Sequence, residues 1–344
     1  MEAIANYVIT QKISENNNSL VYRAIRQSDQ LPVILKLPQV DYPTQKQILY
    51  YQREYQITSQ LNLEEVIQSY ELLDYQQKPL LVLEDFGGES LKYWLKNREF
   101  TLLEILEIAI KIANIISKIH QKDIVHKDIN PSNFVYNPET KQLKIIDFGI
   151  AIILSRQNPN LANPEFLEGT LTYMSPEQTG RMSHPLDYRT DFYAFGVTLY
   201  QLLTKQLPFR ATEPLKLIHS HLAKQPVPPV EINPHIPPAL NNLVLKLMAK
   251  NVEARYQSAG GIKSDLERCL VELEQGQIPD FSLATKDSIN CIPNSQQLSK
   301  YTNQSESFST EAQALCLSMQ RKQIYLMLQS IPLVTLTKSL IWGQ

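Results

Sequence analysis

The first part of the chain alternates apolar and polar residues in short runs, and the middle changes to helical spacing. Tyr7–Ile13, Leu20–Arg26 and Val33–Leu37 are such runs, parted by the polar turns SENNNS and QSDQLP. Runs of this kind predict antiparallel strands joined by tight turns. After Pro43, TQKQILYYQREYQITSQL predicts a helix, with Tyr50, Ile57 and Leu61 recurring and Glu54 beside Tyr50 at i, i+4. VIQSYELLDYQQKPLLVLEDFGG predicts two more strands, and Gly87 and Gly88 mark a flexible exit. In TLLEILEIAIKIANIISKIHQ, residues Ile105, Ile108, Ala109, Ile112, Ile115, Ile116 and Ile119 define a buried helical face. A stripe of this kind is core and needs no cofactor. The short run Leu143 to Ile146 predicts a strand. DYRTDFYAFGVTLYQLLTKQLPF predicts a buried helix with Phe192, Phe195, Leu199 and Leu202 inward and Asp191 placed as a cap. Two closing helices present Leu240/Leu243/Val244/Leu247 and Ile262/Leu266/Cys269/Leu270/Leu273.

Composition changes at Gly276. DSINCIPNSQQLSKYTNQSESFST is rich in Ser, Asn and Gln and reads as a linker. TEAQALCLSMQRKQIYLMLQSI is compatible with a helix, and PLVTLTKSLIWGQ has no clear period. The apolar share, 43% of 344 residues, suffices for a full core. With 33 basic and 35 acidic residues the net charge is −2, which gives no case for a nucleic-acid or membrane-surface binder. No signal peptide or membrane span is expected. Cys269, Cys291 and Cys316 show no metal-site or redox spacing, as in a cytoplasmic protein with reduced thiols. PVPPVEINPHIPP reads as a rigid loop in preference to a partner ligand, and His219 and His221, two apart on a helix, face different ways.

The chemistry concentrates in IVHKDINPSNFVYNPETKQLKIIDFG, residues 124–149. Asp128 is an acid in a loop, Asn133 follows five residues later, and Asp147 precedes a Phe-Gly turn. Upstream, PVILKLP places Lys36 on the third strand. Downstream, GTLTYMSPEQTGR contains Thr170 and Ser175-Pro176-Glu177, and NVEARYQSA contains Arg255.

This ordered set resembles the eukaryotic-type serine/threonine protein kinases, over about residues 7–273. LVLEDFGGESL, HKDINPSN and YMSPEQTGRM look like the kinase at the front of large bacterial, especially cyanobacterial, sensor proteins. The modules that follow it there are not expected within residues 276–344. The resemblance implies an α+β, protein-kinase-like two-lobe fold. A small antiparallel sheet with one helix (residues 7–86) would sit above a larger, mainly helical lobe (87–275). Residues 276–344 would be linker and tail, which the composition allows to be poorly ordered. It also implies ATP and Mg²⁺ as cofactors, with Lys36 held by Glu54 and aimed at the phosphates. Asn133 and Asp147 would bind metal, since Mg²⁺ prefers hard oxygen donors. Asp128 would orient the acceptor hydroxyl, and Asn130 stands where such kinases place a catalytic lysine. Ile13 and Val21 would roof the adenine, Leu83 would lie behind it, and Glu84 to Phe86 would offer it backbone groups. Asp191 would hold the catalytic loop, and Arg255 would pair with Glu177. Protein hydroxyls are the implied substrate, Ser/Thr being favoured by Thr170, with signalling proteins as further partners.

Three departures matter. Ser14, Asn16 and Ser19 replace the glycines of the phosphate loop, and no glycine precedes Gly87. Glycine there lets backbone N–H groups approach phosphate, so side chains are expected to crowd the nucleotide. Lys127 replaces an arginine whose planar fork would grip a phosphorylated segment, in which Ser155, Thr170 and Thr172 are the nearby hydroxyls. Asn130 carries no positive charge for the transition state. The alternative these departures support is a weakly active or inactive kinase-fold module that binds nucleotide or a partner. A small-molecule kinase is disfavoured by Thr170 and Ser175-Pro176-Glu177.

Overall fold

The computed structural model describes residues 3–15, 19–154, 168–182 and 184–287. Asn16, Ser155, Cys291, Cys316 and the helix compatible with the tail sequence lie outside these residues. The alternating runs fold as β1 (Ala3–Ile4), β2 (Tyr7–Glu15), β3 (Ser19–Arg26) and β4 (Pro32–Pro38). Helix α1 (Gln45–Gln60) follows, then β5 (Ser69–Tyr75) and β6 (Lys78–Glu84). The strands form an antiparallel sheet in the order β1-β2-β3-β4-β6-β5. Period-two geometry sorts its faces. Val33, Leu35 and Leu37 of β4 join Leu80 and Val82 of β6 in one cluster. Leu81 and Leu83 turn to the other face, where Tyr51 of α1 and Ile34 cover them. Lys36 shares the face of Ile34 and so points toward α1.

Helix α1 begins at a capping box in which Thr44 and Gln47 satisfy each other's backbone N–H groups. Its buried positions are Tyr51, Glu54, Ile57 and Thr58. The helix is thus rotated by about one residue from the expected Tyr50 face, because i, i+3 and i+7 positions share one side. Tyr50 is left half-buried at the edge, facing other partners.

The second lobe starts with β7 (Glu89–Ser90), α2 (Leu91–Asn97) and α3 (Leu102–His120). Short strands β8 (Ile124–Val125), β9 (Phe134–Asn137), β10 (Gln142–Ile145) and β11 (Ile152–Ile153) follow. They carry the catalytic-loop sequence between them. Helices α4 (Arg189–Thr204), α5 (Pro214–Ala223), α6 (Pro229–Ile232), α7 (Pro238–Leu247) and α8 (Ala259–Glu274) complete the lobe. All seven stripe residues of α3 are buried in one core with α4, α7 and α8. Phe192, Phe195, Leu199 and Leu202 point inward as expected. At Gly196 an added Cβ would lie 2.7 Å from Leu247 Cβ, so only glycine allows α4 and α7 to approach this closely. The proline-rich stretch folds on the lobe through α6, whose Val230 N–H donates to Asn241 Oδ1 at 3.2 Å. His221 is buried and His219 exposed. Cys269 is buried, and desolvation pushes its thiol up to about 12, away from reactivity.

The linker composition starts at Gly276, yet the chain stays on the lobe as far as Asp287. Pro279 O accepts from the Ala239 N–H, and Asp265 Oδ2 accepts from the Ala284 N–H. Asp287 accepts from the Gln257 N–H and the Ser258 hydroxyl, both at 2.7 Å. Among the described residues no helix is long and apolar enough to cross a membrane.

Candidate active site

The cleft is organised by one lysine. Strand pairing sets Lys36 opposite Val21 on β3 and Leu81 on β6. Its Nζ lies 2.7 Å from Glu54 Oε2 and 3.1 Å from Asp147 Oδ1, linking sheet, helix and the Phe-Gly turn. Desolvation would lower the lysine's pKa, but the two carboxylates outweigh it and the ammonium is held well above its ordinary range. Glu54 is 2% exposed, and its Oε1 finds no hydrogen-bond partner among the described residues. Burial pushes its carboxyl up to about 7, against Lys36 and with help from Asp147. The Asp147 side chain stays 43% exposed. Partial desolvation acts to raise its pKa, but Lys36 and the Gly149 N–H prevail and leave it below the usual carboxylate range.

Beneath the lysine, Asp191 holds the loop that carries Asp128. Its Oδ2 accepts from the His126 N–H at 2.9 Å and from His120 Nε2 at 2.8 Å, and its Oδ1 from the Lys127 N–H at 2.8 Å. Helix α4 has no side-chain cap, which corrects the expectation that Asp191 caps it. The carboxylate is consumed by buried loop amides that have nowhere else to bond. Those bonds also hold Lys127 at φ 68°, a left-handed conformation that a bulky residue resists. His126 donates from Nε2 to Ile146 O at 3.1 Å and accepts the Asp128 N–H at Nδ1, which fixes its tautomer.

Both oxygens of Asp128 are engaged. Oδ1 accepts the Thr170 N–H at 2.8 Å, and Oδ2 accepts Asn133 Nδ2 at 2.9 Å. Asn133 Nδ2 also donates to Asp128 O, so its Oδ1 remains as an acceptor. Asn130 is 2% exposed and donates to Asp128 O at 3.1 Å and Thr170 Oγ1 at 3.5 Å. Its own Oδ1 accepts the Ser132 N–H. Asn130 therefore braces the loop against the following segment.

The sequence did not single out several contacts here. Glu168, just before Gly169-Thr170, pairs with Lys127 Nζ at 2.9 Å. Lys144 Nζ holds both oxygens of Glu84, at 2.8 and 2.9 Å, and Arg23 Nε meets Asp85 Oδ2 at 2.7 Å. Of the backbone groups of Glu84 to Phe86, the segment expected to serve adenine, two are already used. The Glu84 N–H donates to Gln68 O, and Phe86 O accepts Asn137 Nδ2, both at 2.9 Å. Leu83 and Phe86 belong to the apolar cluster with Ile146 that backs the cleft. Ser14 pairs with Val21 within the sheet and Ser19 is mostly buried, so strand pairing continues to Glu15 on one side and from Ser19 on the other. Ile13 is half-buried at a register shift in β2. The predicted Arg255–Glu177 pair is present, with Nη1 at 2.7 Å and Nη2 at 2.9 Å from the carboxylate.

Among the described residues no group of three or more His, Cys, Asp or Glu could hold a metal. Asn133 Oδ1 and the half-exposed Asp147 carboxylate are two hard donors. That set fits an ion completed by phosphate oxygens and water, which is the mode Mg²⁺ favours.

The protein kinase domain family matches residues 7–265. A probable serine/threonine-protein kinase of Clostridium perfringens is 30% identical over 264 residues, covering 76% of this chain and 38% of that protein. Serine/threonine-protein kinase pkn3 of Myxococcus xanthus is 32% identical over 275 residues, covering 76% and 49%. Serine/threonine-protein kinase PknB of Mycolicibacterium smegmatis is 30% identical over 245 residues, covering 70% and 38%. The chain thus spans about half or less of the length of these relatives. Matched along most of its length, and with the lysine clamp and acid loop standing where the motif order required, the chain belongs to the protein kinase domain family.

Proposed function

We propose that this chain transfers the γ-phosphate of Mg-ATP to a serine or threonine hydroxyl of a protein substrate. The observation that carries the reading is Lys36, bound at once to Glu54 and Asp147. In kinases a lysine paired in this way meets phosphate charge between the lobes. Ile13 and Val21 roof the base, Leu83 backs it, and the Glu84 and Phe86 segment borders it, with the Phe86 N–H as the assigned donor. Mg²⁺ held by Asn133 Oδ1 and Asp147 would neutralise charge on the phosphate oxygens. Asp128, held by Asn133 and Thr170, orients the acceptor hydroxyl and takes its proton late in the step. Asn130 is a positioning residue, acting through Asp128 and Thr170. The reading sets this work in the cytoplasm, within bacterial signalling and with signalling proteins as partners. Neither a nucleic acid nor a membrane surface enters the reading.

The test is transfer from labelled ATP to the protein itself and to generic Ser/Thr proteins, with Mg²⁺ or with chelator. Transfer is expected only with Mg²⁺, and Lys36→Met is expected to lower it by about 10²–10³-fold, the scale of one lost transition-state donor. Absence of transfer in the parent, with ATP still bound in a thermal-shift assay, would move the reading to a nucleotide-binding module.

The Glu54 carboxyl gives a pH dependence. Its folded pKa, pushed up to about 7 from 4.5, means the folded state binds the proton more readily than the unfolded chain. This carboxyl therefore favours folding at low pH, and that contribution fades as pH rises through about 7. Activity runs the opposite way, because the clamp needs the carboxylate. Transfer is expected to fall on acidification around pH 7, and Glu54→Gln to lower the plateau and remove that limb. A parent profile flat across this range would contradict it.

A further inference from the structure

Glu168 draws three side chains, from two elements, to one carboxylate. Its oxygens lie 2.9 Å from Lys127 Nζ on the catalytic loop and 3.7 Å from Lys46 Nζ on α1. The Tyr50 hydroxyl, also on α1, donates to it at 3.3 Å. Neither main partner is a loose surface group: the side chains of Lys127 and Glu168 are 9% and 21% exposed. Without Glu168, the mostly buried Lys127 ammonium would lose its ion-pair partner among the described residues, at real cost. Burial acts to raise the Glu168 pKa, but Lys127, Lys46 and Tyr50 outweigh it and keep the carboxyl ionised.

Two residues connect this knot to the proposed chemistry. Gly169 has φ 98°, and a Cβ there would come 3.2 Å from Lys127 O, so glycine lets the segment lie directly on the loop. The next residue, Thr170, donates its N–H to Asp128 Oδ1. On the other side, Tyr50 and Lys46 belong to the helix that carries Glu54. A single carboxylate thus fixes α1, and with it the Lys36 clamp, against the loop that orients Asp128. Lys127 is a point charge that the Glu168 carboxylate meets, and it lacks the planar fork with which an arginine would grip a phosphate bidentately.

We propose that Glu168 is a positioning residue that locks the stretch 168–170 onto the catalytic loop and α1, and does so without an added phosphate. The inference rests on the phosphotransfer reading for its activity readout, and it carries a second readout that does not.

The experiment compares phosphatase-treated parent, Glu168→Gln and Glu168→Asp. Dephosphorylated parent is expected to retain its kcat within about twofold. Glu168→Gln is expected to lose about tenfold or more in kcat, the scale of one charge-assisted hydrogen bond, with KM for ATP changed less than about threefold. Glu168→Asp, which keeps the charge, is expected to recover part of that loss. In the same samples, hydrogen exchange at the Thr170 amide is expected to speed up in Glu168→Gln alone. An unchanged kcat in Glu168→Gln, or a parent that loses most of its transfer on dephosphorylation, would overturn the proposal. If the parent shows no transfer at all, the phosphotransfer reading fails instead. The Thr170 amide then decides: faster exchange in Glu168→Gln supports the lock, and unchanged exchange removes it.

Discussion

Asp128→Asn is expected to reduce phosphate transfer by about 10³-fold, within the range a positioned acid–base group contributes, while ATP binding persists. The argument is more than the loss of a charge. Both carboxylate oxygens accept from N–H donors, Thr170 N on one side and Asn133 Nδ2 on the other. An asparagine must turn its own NH₂ toward one of these donors, whichever way the amide is flipped. If it faces Asn133, the proposed metal donor shifts; if it faces Thr170, the segment beside the acceptor hydroxyl is pushed away. Asp128→Ala removes the charge without a donor clash. Single-turnover transfer and ATP thermal shift, run on both variants, separate the two effects. Asp128→Asn is expected to be no more active than Asp128→Ala. A variant transferring within about tenfold of the parent would remove Asp128 from the role of base.

Arg255→Met is expected to cost stability rather than chemistry. Arg255 and Glu177 have side chains 0% and 1% exposed, and they meet through two N–H···O bonds. Removing the arginine leaves a buried carboxylate whose remaining side-chain donor is the Thr190 hydroxyl at 2.9 Å. Breaking one partner of a buried pair costs about 3–5 kcal/mol, which for a domain of this size lowers Tm by roughly 10 °C. Arg255 also donates to Ala249 O at 2.8 Å, Arg189 O at 3.0 Å and Lys250 O at 3.4 Å, so three carbonyls lose a donor as well. The double change Arg255→Met with Glu177→Leu is expected to recover part of the loss, because no lone charge is then buried. Scanning calorimetry reads both, and a drop below about 2 °C for the single variant would show that water reaches the pair.

The parts of this site that were legible in sequence are those whose geometry is local or whose order is rigid. Asp128 and Asn133 stand five residues apart in one loop, and the bond between them follows from that spacing. Lys36 and Glu54 come together because alternation on β4 fixes which way the lysine points and helical period fixes the glutamate. Other parts depend on how distant segments fold back. Lys144 and Glu84 are each ordinary charged residues at strand ends, and only the meeting of two lobes pairs them. Glu168 is one of two acids between Ile150 and Met174, with no periodicity to mark it. Asp191 carried two expectations, a helix cap from its position and a hold on the catalytic loop from the resemblance, and only the second is met. Helix-start chemistry favours a cap, but two buried loop amides needed an acceptor more. Tyr51 in place of Tyr50 is the smallest such error, one residue of helix rotation set by tertiary packing.

The contact made by Asp287 bears on portability. The family's own motifs end well before this residue, and the composition turns linker-like at Gly276. Yet its carboxylate ties down the start of α8 and the turn after Arg255, beside the buried pair. A recombination event that joined this kinase to a new neighbour at the compositional seam would leave behind part of what holds its floor. The seam at which the domain can be exchanged intact lies after that aspartate, so what evolution can move as one piece is longer than what it needs for chemistry.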